Sequence, residues 1–282
     1  MLGLSNSLIS GIPPAFSPVD ISKLVGWWDF TDTSTMYSDA GATQITNGDD
    51  IYRIDNKAYT LLNSNAQALG TFLQQATSTN RPNWTQTNKA VFSTDDFLKA
   101  TTSAGNVAVN QLSSSTVNGI AMTFFYVVTN IGATDDEYLL NINGANVNDR
   151  MSIYLDNDSS NDRWQWHHQD NGDRTNTLMN CGVNVTSNIE LYTVHLDSTS
   201  ASSFYRNGDT SDGVTNGSAD NHTIDLTAND ADIAVTVGTG TGTNVNKYLN
   251  GYVREILVYK RVLTANELSE VENFLLNKHG IS

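Results

Sequence analysis

From Lys23 onward the chain is a succession of short apolar or alternating stretches, each closed by a polar turn. That rhythm restricts its fold more than any other feature. "LVGWWDF" is apolar and aromatic, and "MTFFYVVTNI" is a nearly unbroken apolar run, the pattern of a strand in the middle of a sheet. "RMSIYLDN" alternates, with Met151, Ile153 and Leu155 on one side. "ELYTVHLD" sets Leu191, Thr193 and His195 against Tyr192, Val194 and Leu196, and "ADIAVTVG" aligns Ile233, Val235 and Val237. "SSFYRNGD" ends in Asn207-Gly208, a strong hairpin signal, and "GYVREILVY" closes the series. No internal repeat stands out. The pattern predicts an all-β sandwich.

One helix interrupts it, in "VLTANELSEVENFLLNKHGI". Thr264 is placed to cap its N-terminus, with Glu267 completing a capping box and Leu263 and Leu268 forming a hydrophobic staple. Leu268, Val271 and Leu275 make an apolar stripe with Phe274 beside it. Lys278 and His279 suit the negative end of the helix dipole, and Gly280 the C-terminal stop. The helix is expected to pack on the sandwich.

Charge narrows the partners. The 282 residues carry 30 Asp and Glu against 15 Lys and Arg, a net charge of −15. That balance disfavours nucleic acid and anionic membrane surfaces, both of which call for basic patches. Cys181 is the only cysteine, so no disulfide within the chain and no Cys-based zinc site is expected. No stretch approaches the roughly 20 apolar residues of a membrane span.

Residues 1–22 differ from the rest. They hold three of the four prolines and scattered apolar residues without periodicity. They read as an extended arm, either disordered or ordered against a partner through Leu2, Leu4, Leu8, Ile9 and Ile12. The expected organisation is this arm followed by one domain over 23–282.

"RWQWHHQ", Arg163 to Gln169, concentrates two tryptophans and two histidines. As a strand it places Trp164, Trp166 and His168 on one face and Arg163, Gln165 and His167 on the other, paired as a hairpin with "RMSIYLD". The indoles then either fill the core or form a sugar platform. In the second case Trp164, Trp166 and His168 would stack on or bond the ligand, and Asp170, Asn171 and Asp173 beyond them would hold hydroxyls. His167 and His168 point apart on a strand and are poor joint metal ligands. "DNDSSND" offers Asp156, Asp158 and Asp162 to calcium, and "TANDAD" is similar, but both lack the spacing of a calcium loop and read as turns.

Several of these stretches resemble concanavalin A-like, laminin-G-like jelly-roll domains. "GWWDFTD" resembles the entry motif, followed by "IYRIDNKA", Arg81-Pro82, "VFSTDDFL" and the "SSFYRNGD" turn. Gly251 to Ile281 resembles the last strand, helix and Lys-x-Gly-hydrophobic end. The resemblance covers about residues 23–282 and implies a concanavalin A-like jelly-roll β-sandwich with one C-terminal helix and an extended N-terminal arm. The opening "MLGLSNSLISG" resembles structural proteins of tailed phages, cyanophages in particular.

The residues give little sign of hydrolytic chemistry. Retaining glycosidases need two carboxyls roughly 5–5.5 Å apart, and no strand carries a suitable run of acids. Glu267, Glu270 and Glu272 belong to the helix. Glu255 stands alone beside Arg254 and reads as a structural residue of the last strand, and the aspartate pairs sit in loops. No G-x-S-x-G elbow occurs, and "VGTGTGTNVN" leads into a strand rather than a helix. Taken with this, the resemblance to tailed-phage structural proteins implies a non-enzymatic virion structural protein. It would be capsid decoration or a tail or fibre component, anchored on capsid or tail proteins by its arm, self-associating, at the particle surface and without a cofactor. The alternative is a secreted, lectin-like adhesin that binds glycans, and a glycan hydrolase ranks below both.

Overall fold

The structure, a computed structural model, describes residues 16–62, 69–93, 95–100, 121–130, 136–143, 150–158, 161–169, 179–196, 202–214, 235–240 and 247–282. In chain order its strands begin with β1 (Leu24–Asp29), β2 (Met36–Tyr37), β3 (Arg53–Asp55), β4 (Phe72–Gln74), β5 (Asn83–Thr85) and β6 (Lys89–Phe92). They continue with β7 (Leu98–Ala100), β8 (Met122–Asn130), β9 (Glu137–Asn143), β10 (Arg150–Asp158), β11 (Asn161–Gln169) and β12 (Met179–Asn180). The last are β13 (Glu190–Leu196), β14 (Ser203–Arg206), β15 (Asp209–Val214), β16 (Val235–Val237) and β17 (Gly251–Tyr259). Two α-helices, α1 (Lys57–Leu61) and α2 (Ala265–His279), complete the set.

The strands form two antiparallel sheets, and the chain is an all-β sandwich as the alternation predicts. Sheet A runs β15-β14-β13-β8-β17-β6-β5, with β1 also on β17, and sheet B runs β12-β11-β10-β9-β16-β7-β4-β3-β2. Between the sheets lies the main core. Trp28, Phe124, Tyr126, Tyr192 and Phe204 from sheet A meet Leu140, Ile153, Leu155, Trp164, Trp166 and Val237 from sheet B. Alternate residues enter this layer, as the pleat requires, except where the register shifts in β1, β9 and β17.

The outer face of sheet A is covered by α2. Phe125, Val127, Leu191, Leu257 and Tyr259 pack there against Val271 and Leu275. Burial on both faces is why "MTFFYVV" is apolar throughout rather than alternating. The helix has the expected ends: Thr264 accepts from the Glu267 amide, the reciprocal half of the capping box is present, and Gly280 takes the left-handed conformation at φ 64°. Phe16, Val19 and Ile21, on the arm side of the expected boundary, also pack on this layer, Phe16 edge-on to Phe274 at 5.9 Å. The Tyr259 hydroxyl donates to the Pro18 carbonyl.

Two local features follow from side-chain chemistry. Asn207 and Gly208 both have positive φ, 51° and 75°, which makes the β14–β15 connection the tight hairpin that Asn-Gly favours. Helix α1, a single turn that starts at the end of "IYRIDNKA", is capped by Asn56, whose side chain accepts from the Ala58 amide. Among the described residues no helix is long and apolar enough to cross a membrane.

Candidate functional site

The β10–β11 hairpin orients "RWQWHHQ". Its register pairs Ile153 with Trp166 and Leu155 with Trp164, two inward-facing pairs. Both indoles are 1 % exposed, and Trp164 lies 5.3 Å edge-on to Tyr126 in the inter-sheet core. Of the two alternatives for Trp164 and Trp166, the core holds and the sugar platform is corrected: the hydrophobic effect takes the larger apolar groups of the strand between the sheets, while Gln165 and His167, also buried, lie on its other face. Asp170, Asn171 and Asp173 lie outside the described residues, as does the side chain of His168. So do Leu2, Leu4, Leu8, Ile9 and Ile12 of the arm and the "TANDAD" stretch.

The opposite face of the same strand is the distinctive one. Arg163, Gln165 and His167 alternate with the tryptophans and so stand on the outer face of sheet B. Ser152, Tyr154 and Asp156 of β10 stand beside them, opposite His167, Gln165 and Arg163 respectively. Tyr138 of β9 stacks on Tyr154 with ring centres 5.2 Å apart and 20° between planes, and Tyr154 meets the edge of His167 at 6.3 Å. The Tyr154 hydroxyl donates to Gln165 Oε1 at 2.8 Å, and Gln165 Nε2 donates to the Asp156 carboxylate. Ser152 donates to Asn141 Oδ1 at 2.5 Å.

This polar set continues across the sheet. The registers connect His167–Ser152–Asn141–Thr236–Lys99–Gln74–Arg53–Tyr37, one residue from each of eight strands. Seven steps of roughly 4.8 Å give a row about 34 Å long. Much of it is closed: Asn141, Ser152 and Thr236 are buried, and so are His167 at its end and the adjoining Tyr138 and Gln165. Its margins are open, with Tyr154, Asp156 and Arg163 half-buried on one side and Lys99 exposed on the other. At the far end Arg53 stacks over Phe72 at 4.3 Å and pairs with Asp55. Among the described residues the outer face of sheet A is instead the bed of α2.

A second polar cluster lies beneath the end of that helix. Glu255 of β17, fully buried, accepts from Trp27 Nε1, Lys278 Nζ and His279 Nε2, each at 2.7 Å. Asp29, its register partner on β1, accepts from Lys278 at 2.7 Å and Lys57 at 3.0 Å. Burial pushes the Asp29 carboxyl up, but Lys278 and Lys57 outweigh it and hold the group at about 2. The two carboxylates face each other across strands, a pairing that sequence spacing does not reveal. Both are sealed under α2 and held by cations, so this cluster fastens the helix to the sheet.

Of the calcium candidates, Asp156 is taken up by Gln165, and Asp162 stands opposite Asn157 in the hairpin. The side chain of Asp158 lies outside the described residues. Among the described residues no three His, Cys, Asp or Glu side chains gather as metal ligands. Cys181 is buried in the core, and burial raises its thiol to about 11, the reverse of a reactive cysteine.

No family model matches the chain, and no curated protein matches it. Solved structures do. A sialidase of Trypanosoma rangeli aligns with 96 % of this chain and 36 % of its own, at 12 % identity and a TM-score of 0.46. The NanB sialidase of Streptococcus pneumoniae aligns with 61 % of this chain and 26 % of its own, at 16 % identity and 0.45. The CBM40 domain of the Ruminococcus gnavus IT-sialidase aligns with 55 % of this chain and 83 % of its own, at 13 % identity and 0.42. Two further structures of that domain hold α2,3- and α2,6-sialyllactose. The chain thus spans about a quarter to a third of the sialidase chains it matches. Sialidases among the matches overturn the expectation that the chain is no enzyme, and at these scores they assign it no reaction. The virion expectation gains no support from them.

Proposed function

We propose that this chain is a carbohydrate-binding β-sandwich of concanavalin A-like type that takes glycans on the outer face of β9, β10 and β11. One observation carries the reading: half-buried Tyr154, with Asp156 and Arg163, stands at an open margin of the sheet face that α2 does not cover, backed by the buried rings of Tyr138 and His167 and by buried Gln165. A sugar ring presents both an apolar C–H face and directional hydroxyls. It is held where aromatic rings adjoin planar amide and carboxylate groups. The bonds from Tyr154 to Gln165 and from Gln165 to Asp156 fix these groups before any ligand arrives, which lowers the ordering cost of binding. The function proposed is recognition of extracellular glycans, as in the adhesin alternative drawn from the sequence.

The test is retention of the whole protein on a panel of immobilised polysaccharides and oligosaccharides. Wild-type protein should bind at least one member, and Tyr154→Ala and Asp156→Ala should each weaken that binding about tenfold or more with unchanged circular dichroism. Binding that survives both substitutions would move the site elsewhere, and no retention on any member would refute the reading.

A further inference from the structure

We infer that the glycan taken by this face is uncharged, an inference that rests on the carbohydrate-binding reading and narrows it. Acidic sugars carry carboxylate or sulfate groups, and proteins hold such groups best with the planar, bidentate fork of arginine. The side chains of six of the eight arginines are described, those of Arg150 and Arg174 lying outside the described residues, and each of the six makes a contact within the protein. On the face itself, Arg53 gives Nε and Nη2 to Asp55 while its plane lies on Phe72. Arg163, at the opposite margin, donates to Asn184. Away from the face, Arg81 donates to the carbonyls of Gln75 and Ala76, and Arg254 to that of Thr87. Arg206 is paired with Glu190 and Asp212, and Arg261 with Glu267. Recruiting Arg53, Arg206 or Arg261 to a ligand anion would strand a carboxylate.

Lysine does not make up the difference. Lys57 and Lys278 are tied to Asp29 beneath α2, and Lys247 to Asp136. Lys99 is the exposed lysine of the transverse row, and a single hydrated ammonium gives an anion a point charge without orientation. Beside Tyr154 stands Asp156, a carboxylate that accepts from hydroxyls and repels other anions.

The field of the whole protein acts in the same direction. A net charge of −15 on a body of about 24 Å radius repels a ligand of charge −1 at its surface. With screening at the two salt concentrations, that repulsion weakens binding about fourfold near 0.1 M salt and about tenfold near 0.01 M. A neutral sugar feels neither penalty.

The experiment uses the full chain on matched probes: neutral oligosaccharides, each beside its sialylated and its sulfated counterpart, at low and moderate salt. The inference expects the neutral member of each pair to bind better. The acidic member should trail it about fourfold near 0.1 M salt and about tenfold near 0.01 M, so that the gap narrows as salt is added. Preference for an acidic member, with affinity that falls on adding salt, would overturn the inference and leave carbohydrate binding intact. Absence of binding to every member would instead refute carbohydrate binding itself, and the inference with it.

Discussion

Removing the charge of Glu255 while keeping its shape tests how α2 is held on the sandwich. In Glu255→Gln one amide oxygen replaces two carboxylate oxygens that between them accept from Trp27, Lys278 and His279. If that oxygen stays with Trp27, the new NH2 group faces two donors, and if it turns, the indole N–H faces the NH2. Either way at least one bond is lost and a donor is set against a donor. Hydrogen bonds to charged groups are worth about 1.5–3 kcal/mol each, and disrupting a buried pair costs about 3–5 kcal/mol. Lys278 keeps Asp29 at 2.7 Å, which places the expected loss at the lower end, about 3 kcal/mol. At about 2.1 cal/mol/K of unfolding entropy per residue, 282 residues give about 0.6 kcal/mol per degree, so Tm should fall by about 5 °C. Urea titration followed by circular dichroism measures the free energy, and a thermal scan gives Tm. Combining the change with Lys278→Met should cost clearly less than the sum of the two single losses, because the pair shares one interaction. A loss below about 1 kcal/mol, or strict additivity, would show that the buried network does not anchor the helix.

Other consequences follow from the same structure. Asp29, held at about 2 against an ordinary 3.8, contributes about 2 kcal/mol that is fully present above about pH 4 and lost as pH falls through 2. Urea midpoints measured from about pH 5 down to about pH 2 should drop over that window, and the drop should be shallower in Asp29→Asn. Gly208→Ala should cost about 1 kcal/mol, because an L side chain at φ 75° is strained although a Cβ there meets nothing nearer than Glu272 at 3.5 Å. A cost near zero would mean that the hairpin turn relaxes freely. Trp164→Ala should destabilise by about 3–5 kcal/mol through the cavity it leaves, and the loss should appear in the urea midpoint. Equal stability of that variant and wild type would place the indole at the surface and restore the platform reading.

The two-sheet fold was legible because period-two alternation is written in each strand separately: Met151, Ile153 and Leu155 predict their own inward face, and the structure puts them there. The ends of α2 were legible for the same reason, since a cap depends on residues three or four positions apart. The glycan candidate failed at a subtler point. The strand reading separated Trp164 and Trp166 from Gln165 and His167 correctly, but alternation says only that two faces exist. Which one turns inward depends on the partner sheet, where Tyr126 and Tyr192 wait for the indoles. The signal that could have settled the choice lay in the neighbouring strand. Tyr154 is set between Ile153 and Leu155, so the aromatic residue of β10 that belongs with polar company stands opposite Gln165 rather than opposite a tryptophan. The buried pair of Asp29 and Glu255 was beyond any such signal. More than two hundred positions separate them in the chain, and only the pairing of the first strand with the last, which no local pattern encodes, brings the two acids and the lysine of the terminal helix together.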